Sequence, residues 1–241
     1  MIELKHVYKT LGQTRVLLDF SLSAEYKKIL CLIGPSGCGK TTILQLLAGL
    51  ERPDSGQVRG TEDLRVSYVF QEPRLLPWKT VAGNIAFVLR DLVPAAGQKG
   101  LIKEHLLMMG LYDYRDSFPN SLSGGMKQRL ALCRAFAYPH DLLLLDEPFK
   151  SLDVPLRLEM VRQMTRMWQK APRTVVFVTH DIMDALLLGH RVIVLSPRPA
   201  SSLEVMDIDI PLEQRSIKVE PLTSHYARIM ELLEGQSSAS S

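Results

Sequence analysis

Apolar and polar residues alternate through the first part of the chain. Ile2, Leu4 and Val7, then Val16, Leu18, Phe20 and Leu22, fall at strand spacing, with Gly12 at the turn between the two series. The pattern predicts an N-terminal antiparallel β layer over residues 2–30. It then changes: Ile29, Leu30, Cys31, Leu32 and Ile33 form an unbroken apolar run ending at Gly34, the mark of a short buried strand. Beyond it, Ile43, Leu46, Leu47 and Leu50 recur at helical spacing, and Pro53-Asp54-Ser55-Gly56 reads as the turn that closes this unit. Further strands are predicted at Val66–Phe70, Leu142–Leu145, Thr174–Val178 and Val192–Leu195. Strands alternating with helices predict an α/β fold with a mostly parallel sheet.

Between about residues 72 and 135 the texture is helical, broken by Pro73, Pro77, Pro94, Gly97, Gly100, Gly110 and Pro119, and predicts an inserted helical subdomain. Leu158, Val161, Met164 and Trp168 mark one face of a Met-rich amphipathic helix, whose methionines read as core packing. One domain over residues 1–222 is followed by a terminal helix carrying Tyr226, Ile229, Met230 and Leu233. Gln236–Ser241 reads as a Ser-rich disordered tail.

Composition narrows the function classes. A chain of 241 residues can bury one large α/β core, or a core with an insertion. A net charge of +3 without any long run of like charge offers no basic stripe for nucleic acid. Cys31, Cys38 and Cys133 form no CxxC pattern and fit a reduced compartment. Met1-Ile2-Glu3-Leu4-Lys5 lacks a signal-peptide layout, and no apolar run approaches the roughly 20 residues that span a bilayer. A membrane role would require another component to hold the chain there.

Three stretches carry chemistry. Gly34-Pro35-Ser36-Gly37-Cys38-Gly39-Lys40-Thr41 fits G-x-x-x-x-G-K-[ST] between a strand and a helix. Triphosphate oxygens need backbone N–H groups converging at close range, which glycines permit, and a helix start adds its positive end. Lys40 adds a point charge for the β/γ phosphates and Thr41 a hydroxyl for Mg²⁺. Leu142–Leu145 ends in Asp146-Glu147, two carboxylates at the carboxyl end of a strand, where parallel sheets place ligands. Asp146 is expected to hold Mg²⁺, through water, and Glu147 to orient or deprotonate the attacking water. In the third stretch Ser123 is a helix N-cap ahead of Gly124 and Gly125, with Met126, Leu130, Cys133 and Ala137 on an apolar face behind it. This is a second anion site in one chain. One ATP needs one P-loop, so the second site is expected to serve a nucleotide held by another copy.

Leu122-Ser123-Gly124-Gly125-Met126-Lys127-Gln128-Arg129 resembles the signature of the ATP-binding cassette (ABC) ATPases, and the other motifs follow in that family's order over roughly residues 2–196. The resemblance implies a P-loop NTPase core, with ATP and Mg²⁺ as cofactors and residues 34–42, Thr42 included, as the phosphate loop. It implies Gln71 as the Q-loop glutamine, counted with both the catalytic and the metal-binding residues, and Asp146 and Glu147 as the magnesium aspartate and catalytic glutamate. Ser151-Leu152-Asp153 is similar to the D-loop, with Asp153 near nucleotide. His180, in Val178-Thr179-His180-Asp181, is similar to the switch histidine. It follows a strand, so an imidazole there can contact the γ-phosphate. His6, His105, His140, His190 and His225 read as structural. In this family two cassettes sandwich two ATPs, each signature closing the other's P-loop.

Two positions depart from the family pattern. Leu11 stands where an aromatic usually stacks on adenine, so adenine is expected to be held weakly, by aliphatic contact; Tyr8 lies on the other side of a regular strand. Ser151 replaces the usual alanine, with little expected consequence. Gln71-Glu72-Pro73-Arg74-Leu75-Leu76-Pro77-Trp78 is similar to importers of the nitrate, aliphatic sulfonate and taurine type. Its Leu, Leu and Trp are expected to line a groove for a short permease helix. The implied protein is an importer ATPase subunit at the cytoplasmic face of the membrane. Its partners are a second copy of itself, membrane permease subunits and, indirectly, an extracytoplasmic solute-binding protein. The implied solute is a small one of those types or a related precursor, with a different small solute, such as another anion or a vitamin precursor, as the alternative. Repair or translation cassettes would show tandem domains or a basic stripe, an inactive regulatory module would lack Glu147 or His180, and an exporter would normally carry membrane helices.

Overall fold

The protein is described by a computed structural model covering residues 1–150, 152–216 and 219–237. Its centre is a six-stranded sheet in the order β5-β6-β7-β3-β8-β9. The strands are β3 (Ile29–Ile33), β5 (Val66–Val69), β6 (Leu142–Asp146), β7 (Thr174–Thr179), β8 (Arg191–Leu195) and β9 (Ser202–Asp207). All neighbours are parallel except β8 and β9, which run antiparallel. A three-stranded antiparallel sheet, β2-β1-β4, is built from β1 (Ile2–Leu11), β2 (Thr14–Ala24) and β4 (Ser55–Arg59).

The continuous apolar runs follow from burial of both sheet faces. Successive residues of a strand point to opposite sides. Ile29, Cys31, Ile33, Leu143, Leu145, Val175 and Phe177 therefore share one core with α4 (Gly124–Ala137), α5 (Val154–Lys170) and α6 (Ile182–Leu188). Leu30, Leu32, Leu142, Leu144, Val176 and Val178 share the other with α1 (Lys40–Leu47) and the antiparallel layer. Each fully buried Leu, Val or Ile contributes about 1.5–3 kcal/mol. That burial fixes the strand ends on which the chemistry sits.

Several expectations are corrected. Leu17, not Leu18, is the core residue of β2, and Leu18 is exposed, because Asp19 adopts φ 52° and breaks the alternation. Gly97 and Gly100 do not break a helix; α3 (Ala95–Met108) runs through both. Each mid-helix Gly costs about 1 kcal/mol, offset by Leu101, Ile102 and Leu106 packing on the core. The buried face of α5 is Met160, Val161, Met164 and Met167 with Trp168 at its edge, whereas Leu158 is only partly buried and off that face. β4 and β9 were not anticipated. α2 (Val81–Leu89), α3 and α4 occupy the stretch between β5 and β6. The terminal helix, α7 (Leu222–Ser237), runs into the expected tail, and residues 238–241 lie outside the described residues.

Arg215 ties the C-terminal segment down. Its buried guanidinium donates to the carbonyls of Leu186, Gly189, Ile208 and Ile210 at 2.6–3.0 Å, and desolvation lowers its pKa to about 10. No helix among the described residues is long and apolar enough to cross a membrane.

Candidate nucleotide site

Strands β3, β6 and β7 end at one edge of the sheet, in register: Ile33 lies opposite Thr179, and Asp146 opposite Val178. The loop 34–39 and residues 146, 147 and 180 therefore emerge side by side. Gly39 caps α1 with φ 122°, and a Cβ there would stand 2.8 Å from Val16 Cγ1, so no other residue fits. Lys40 is buried, its ammonium donating to the carbonyls of Gly34 at 2.8 Å and Pro35 at 2.9 Å. Ser36, Gly37 and Thr41 face outward, while Cys38 and Thr42 are buried. Burial raises the Cys38 thiol, against the pull of Lys40, so it is packing rather than a nucleophile. A glycine-lined loop, one ammonium and a helix start supply donors of the kind that the oxygens of a nucleoside triphosphate accept from.

The Thr41 side chain lies close enough to Asp146 to hold its carboxyl down, which brings two of the three expected Mg²⁺ ligands, Thr41 and Asp146, together. Burial holds the Asp146 carboxyl above its ordinary value, opposed by Thr41 and Lys40 and reinforced by the charge of Glu147. The Tyr68 hydroxyl also reaches Asp146, at 3.5 Å. Glu147 has φ 46°, a left-handed backbone in a residue other than glycine, and its N–H donates to Val178 O at 3.0 Å. Its Oε2 lies 3.2 Å from His180 Nδ1 and 3.3 Å from Lys150 Nζ. Gln71 is exposed, two residues past the end of β5, and no hydrogen bond joins it to these groups among the described residues.

The signature residues stand apart. Ser123 Oγ accepts from Met126 N at 3.3 Å as the N-cap of α4, and Gly124 is exposed. A Cβ at Gly125 would stand 3.3 Å from Leu152 Cδ2, so this turn packs on the residue before Asp153. Among the described residues no hydrogen bond or ion pair joins Ser123, Gly124 or Gly125 to residues 34–42, 146, 147 or 180. Asp153 caps α5, accepting from Leu156 N at 3.0 Å, and Ser151 lies outside the described residues. Residues 34–42, 146, 147 and 180 thus form one group, the start of α4 stands apart from it, and Gln71 is joined to neither.

The comparisons decide the family. The ABC transporter family profile matches residues 17–150, more than half the chain. The chain belongs to the ABC transporter family. It is an ATP-binding, ATP-hydrolysing member of it. It is 41% identical over 212 residues to the aliphatic sulfonates import ATP-binding protein SsuB 1 of Xanthomonas axonopodis pv. citri, covering 84% of each chain. It is 37% identical to the nitrate import ATP-binding protein NrtD of Synechococcus elongatus, over 84% of this chain and 78% of that one. Among solved structures it resembles the dimeric, post-hydrolysis state of the ATP-binding cassette MJ0796 bound to ADP and Pi. The TM-score is 0.77 at 27% identity, over 87% of this chain and all of that one.

One network of this ABC cassette escaped sequence reasoning. Arg157, on the first turn of α5, pairs with Asp181, which caps α6 by accepting from Met183 N and Asp184 N. Helix α5, entered from Asp153, is thereby bound to the residue next to His180. The only sequence signal was an Asp preceding a helix. Behind it lies Asp184, buried, its carboxyl pushed up to about 7 by desolvation first and by the charge of Asp181, with Arg157 opposing and the Thr179 hydroxyl at 3.5 Å.

A carboxyl raised in the folded state favours folding at acid pH, and the chain loses stability as pH climbs from about 4 through 7. Asp184→Asn keeps the shape without the charge. The stability of the variant relative to wild type should therefore rise between pH 5 and pH 8. The rise should reach about 2–3 kcal/mol, because the wild type loses about 1.4 kcal/mol for each step of one in pH up to 7. Chemical denaturation at the two pH values measures the difference; an equal difference at both would mean that Asp184 is not desolvated as described.

Proposed function

We propose that this ABC ATPase energises import of a small solute of the nitrate, sulfonate or taurine type, or a related precursor. It works as an ATP-sandwich dimer docked on a membrane permease at the cytoplasmic face, with an extracytoplasmic binding protein delivering solute. Lys40 and residues 34–42 hold the triphosphate, Thr41, Asp146 and Gln71 the Mg²⁺, while Glu147, oriented with His180, takes the proton of the attacking water. Ser123, Gly124, Gly125 and Asp153 meet the nucleotide of the second copy. Closure on ATP and opening after hydrolysis shift the permease between two states. The names of the relatives support the solute class.

The observation that carries the docking is Trp78, which is 71% exposed. The segment that presents it is held rigidly. Fully buried Asn84 accepts from Leu76 N at 2.9 Å and donates to the carbonyls of Leu76, Lys79 and Thr80 at 3.0–3.2 Å. Leu75 packs on the core instead, so it leaves the expected groove to Leu76 and Trp78. A loop tied down at Asn84 that presents an exposed indole, seven residues along the chain from Gln71, is suited to a partner helix. In membranes of the native host, the tagged chain should co-purify a polytopic permease. Trp78→Glu should lose it while the detached protein retains its ATPase rate. Uptake of nitrate, taurine and alkanesulfonate by a deletion strain then reads the solute. Recovery of the wild-type chain without any integral membrane protein would overturn the reading.

A further inference from the structure

The turn between β8 and β9 returns to the nucleotide edge of the sheet and is pinned there. Ala200 N donates to Val16 O at 2.8 Å, and Ala200 bridges Leu17 in parallel. Within the turn, Ser196 N donates to Ser201 O at 3.0 Å, and Ser201 N to Ser196 Oγ at 2.9 Å. Val16, to which the turn is tied, is the residue whose side chain presses on Gly39. The turn and the phosphate loop therefore share a wall.

From this anchored turn Arg198 reaches across the loop. Its Nη2 lies 3.2 Å, its Cζ 3.8 Å and its Nε 4.0 Å from where a Cβ on Gly37 would stand. Gly37 has φ 76°, a backbone conformation that favours glycine, and the guanidinium lies against the face that a Cβ would present. The side chain is exposed and makes no hydrogen bond or ion pair among the described residues. The loop's own cation, Lys40, is by contrast committed to the carbonyls of Gly34 and Pro35. Meanwhile Leu11, at the position where the family usually places an aromatic on adenine, is 41% exposed and aliphatic.

We propose that Arg198 is a nucleotide-binding residue of this ATPase, its guanidinium engaging the triphosphate at the Gly37 lip of the loop. It supplies from the β8–β9 turn an affinity that Leu11 cannot supply by stacking. The inference rests on residues 34–42 being the ATP site. A planar guanidinium fork matches phosphate oxygens in pairs, and a charge-assisted hydrogen bond is stronger than a neutral one. Among the described residues no carboxylate pairs with this cation, which is held against the phosphate loop.

The test measures ATPase kinetics and the inhibition constant of inorganic tripolyphosphate for wild type, Arg198→Gln and Arg198→Lys. Arg198→Gln should raise both the KM for ATP and the tripolyphosphate constant on the order of tenfold, with kcat within about twofold. Arg198→Lys, which keeps the charge without the fork, should recover part of the loss. An unchanged KM overturns the proposal. So does a raised KM with unchanged tripolyphosphate inhibition, which would put Arg198 on the base. Lys40→Ala in parallel reports on the underlying site: ATP binding unaffected by that change would mean that the phosphate loop itself is misassigned.

Discussion

Glu147→Gln is expected to cut ATP turnover by about 10²–10⁴-fold, the usual contribution of a general base, while ATP binding stays within about twofold of wild type. Glutamine has the shape of glutamate and keeps an oxygen that can accept a hydrogen bond from His180 or Lys150, each within 3.3 Å of Oε2. What it lacks is a carboxylate able to take a proton. The groups expected to hold the nucleotide lie on the loop 34–42, so binding should not feel the change. The backbone supports the assignment. A residue other than glycine at φ 46° costs on the order of 1–3 kcal/mol and persists where its surroundings over-determine it. Here the N–H is fixed to Val178 O at 3.0 Å, which sets the carboxylate beside the end of β7. Single-turnover hydrolysis and equilibrium binding separate the two effects. Turnover within tenfold of wild type would remove Glu147 from the role of base and leave His180 as the next group to examine.

The parts of the fold legible in the sequence were those where one physical demand dominates. A strand covered on both faces must be apolar throughout, so β3, β6, β7 and β8 stood out. The phosphate loop stood out because only glycine tolerates the conformation at Gly39 beside Val16. β4 was illegible because Ser55-Gly56-Gln57-Val58-Arg59 has one apolar side chain and holds its place by backbone pairing to β1 (Leu4 opposite Val58, Lys5 opposite Gln57). The alternation in β2 misled at Leu18 because the irregularity at Asp19 is a backbone event without an apolar signature.

The site divides along the same line. Asp146, Glu147 and His180 were legible as polar residues ending apolar strands. Arg157, Asn84 and Arg198 were not, because the partners of each are set by how the chain folds and leave no spacing pattern. Arg157 reaches 24 residues to Asp181, and an arginine on a helix surface looks solvated until that partner is placed. Asn84 looks like an ordinary polar residue of a helix until four backbone groups of the preceding loop converge on it.

Mixing two inactive variants should restore hydrolysis. Lys40→Ala removes the ammonium of the phosphate loop, and Ser123→Arg puts a bulky cation at the positive end of α4 in place of its cap. Ser123 is exposed, so the replacement needs no repacking. Each homodimer then lacks one half of both composite sites and should fall by about 10²-fold or more. In a mixed dimer the intact loop of the Ser123→Arg chain faces the intact signature of the Lys40→Ala chain. Random pairing makes about half the dimers mixed, each with one of two sites whole, so about a quarter of the wild-type rate should return. Two outcomes would defeat the sandwich: a Ser123→Arg protein active by itself, or a mixture as silent as its parts. Either would mean that one chain encloses its nucleotide unaided. The separation of Ser123 from Lys40, Asp146 and Glu147 within the chain argues for the opposite result, since a helix start left open by its own fold is available to the phosphates of another copy.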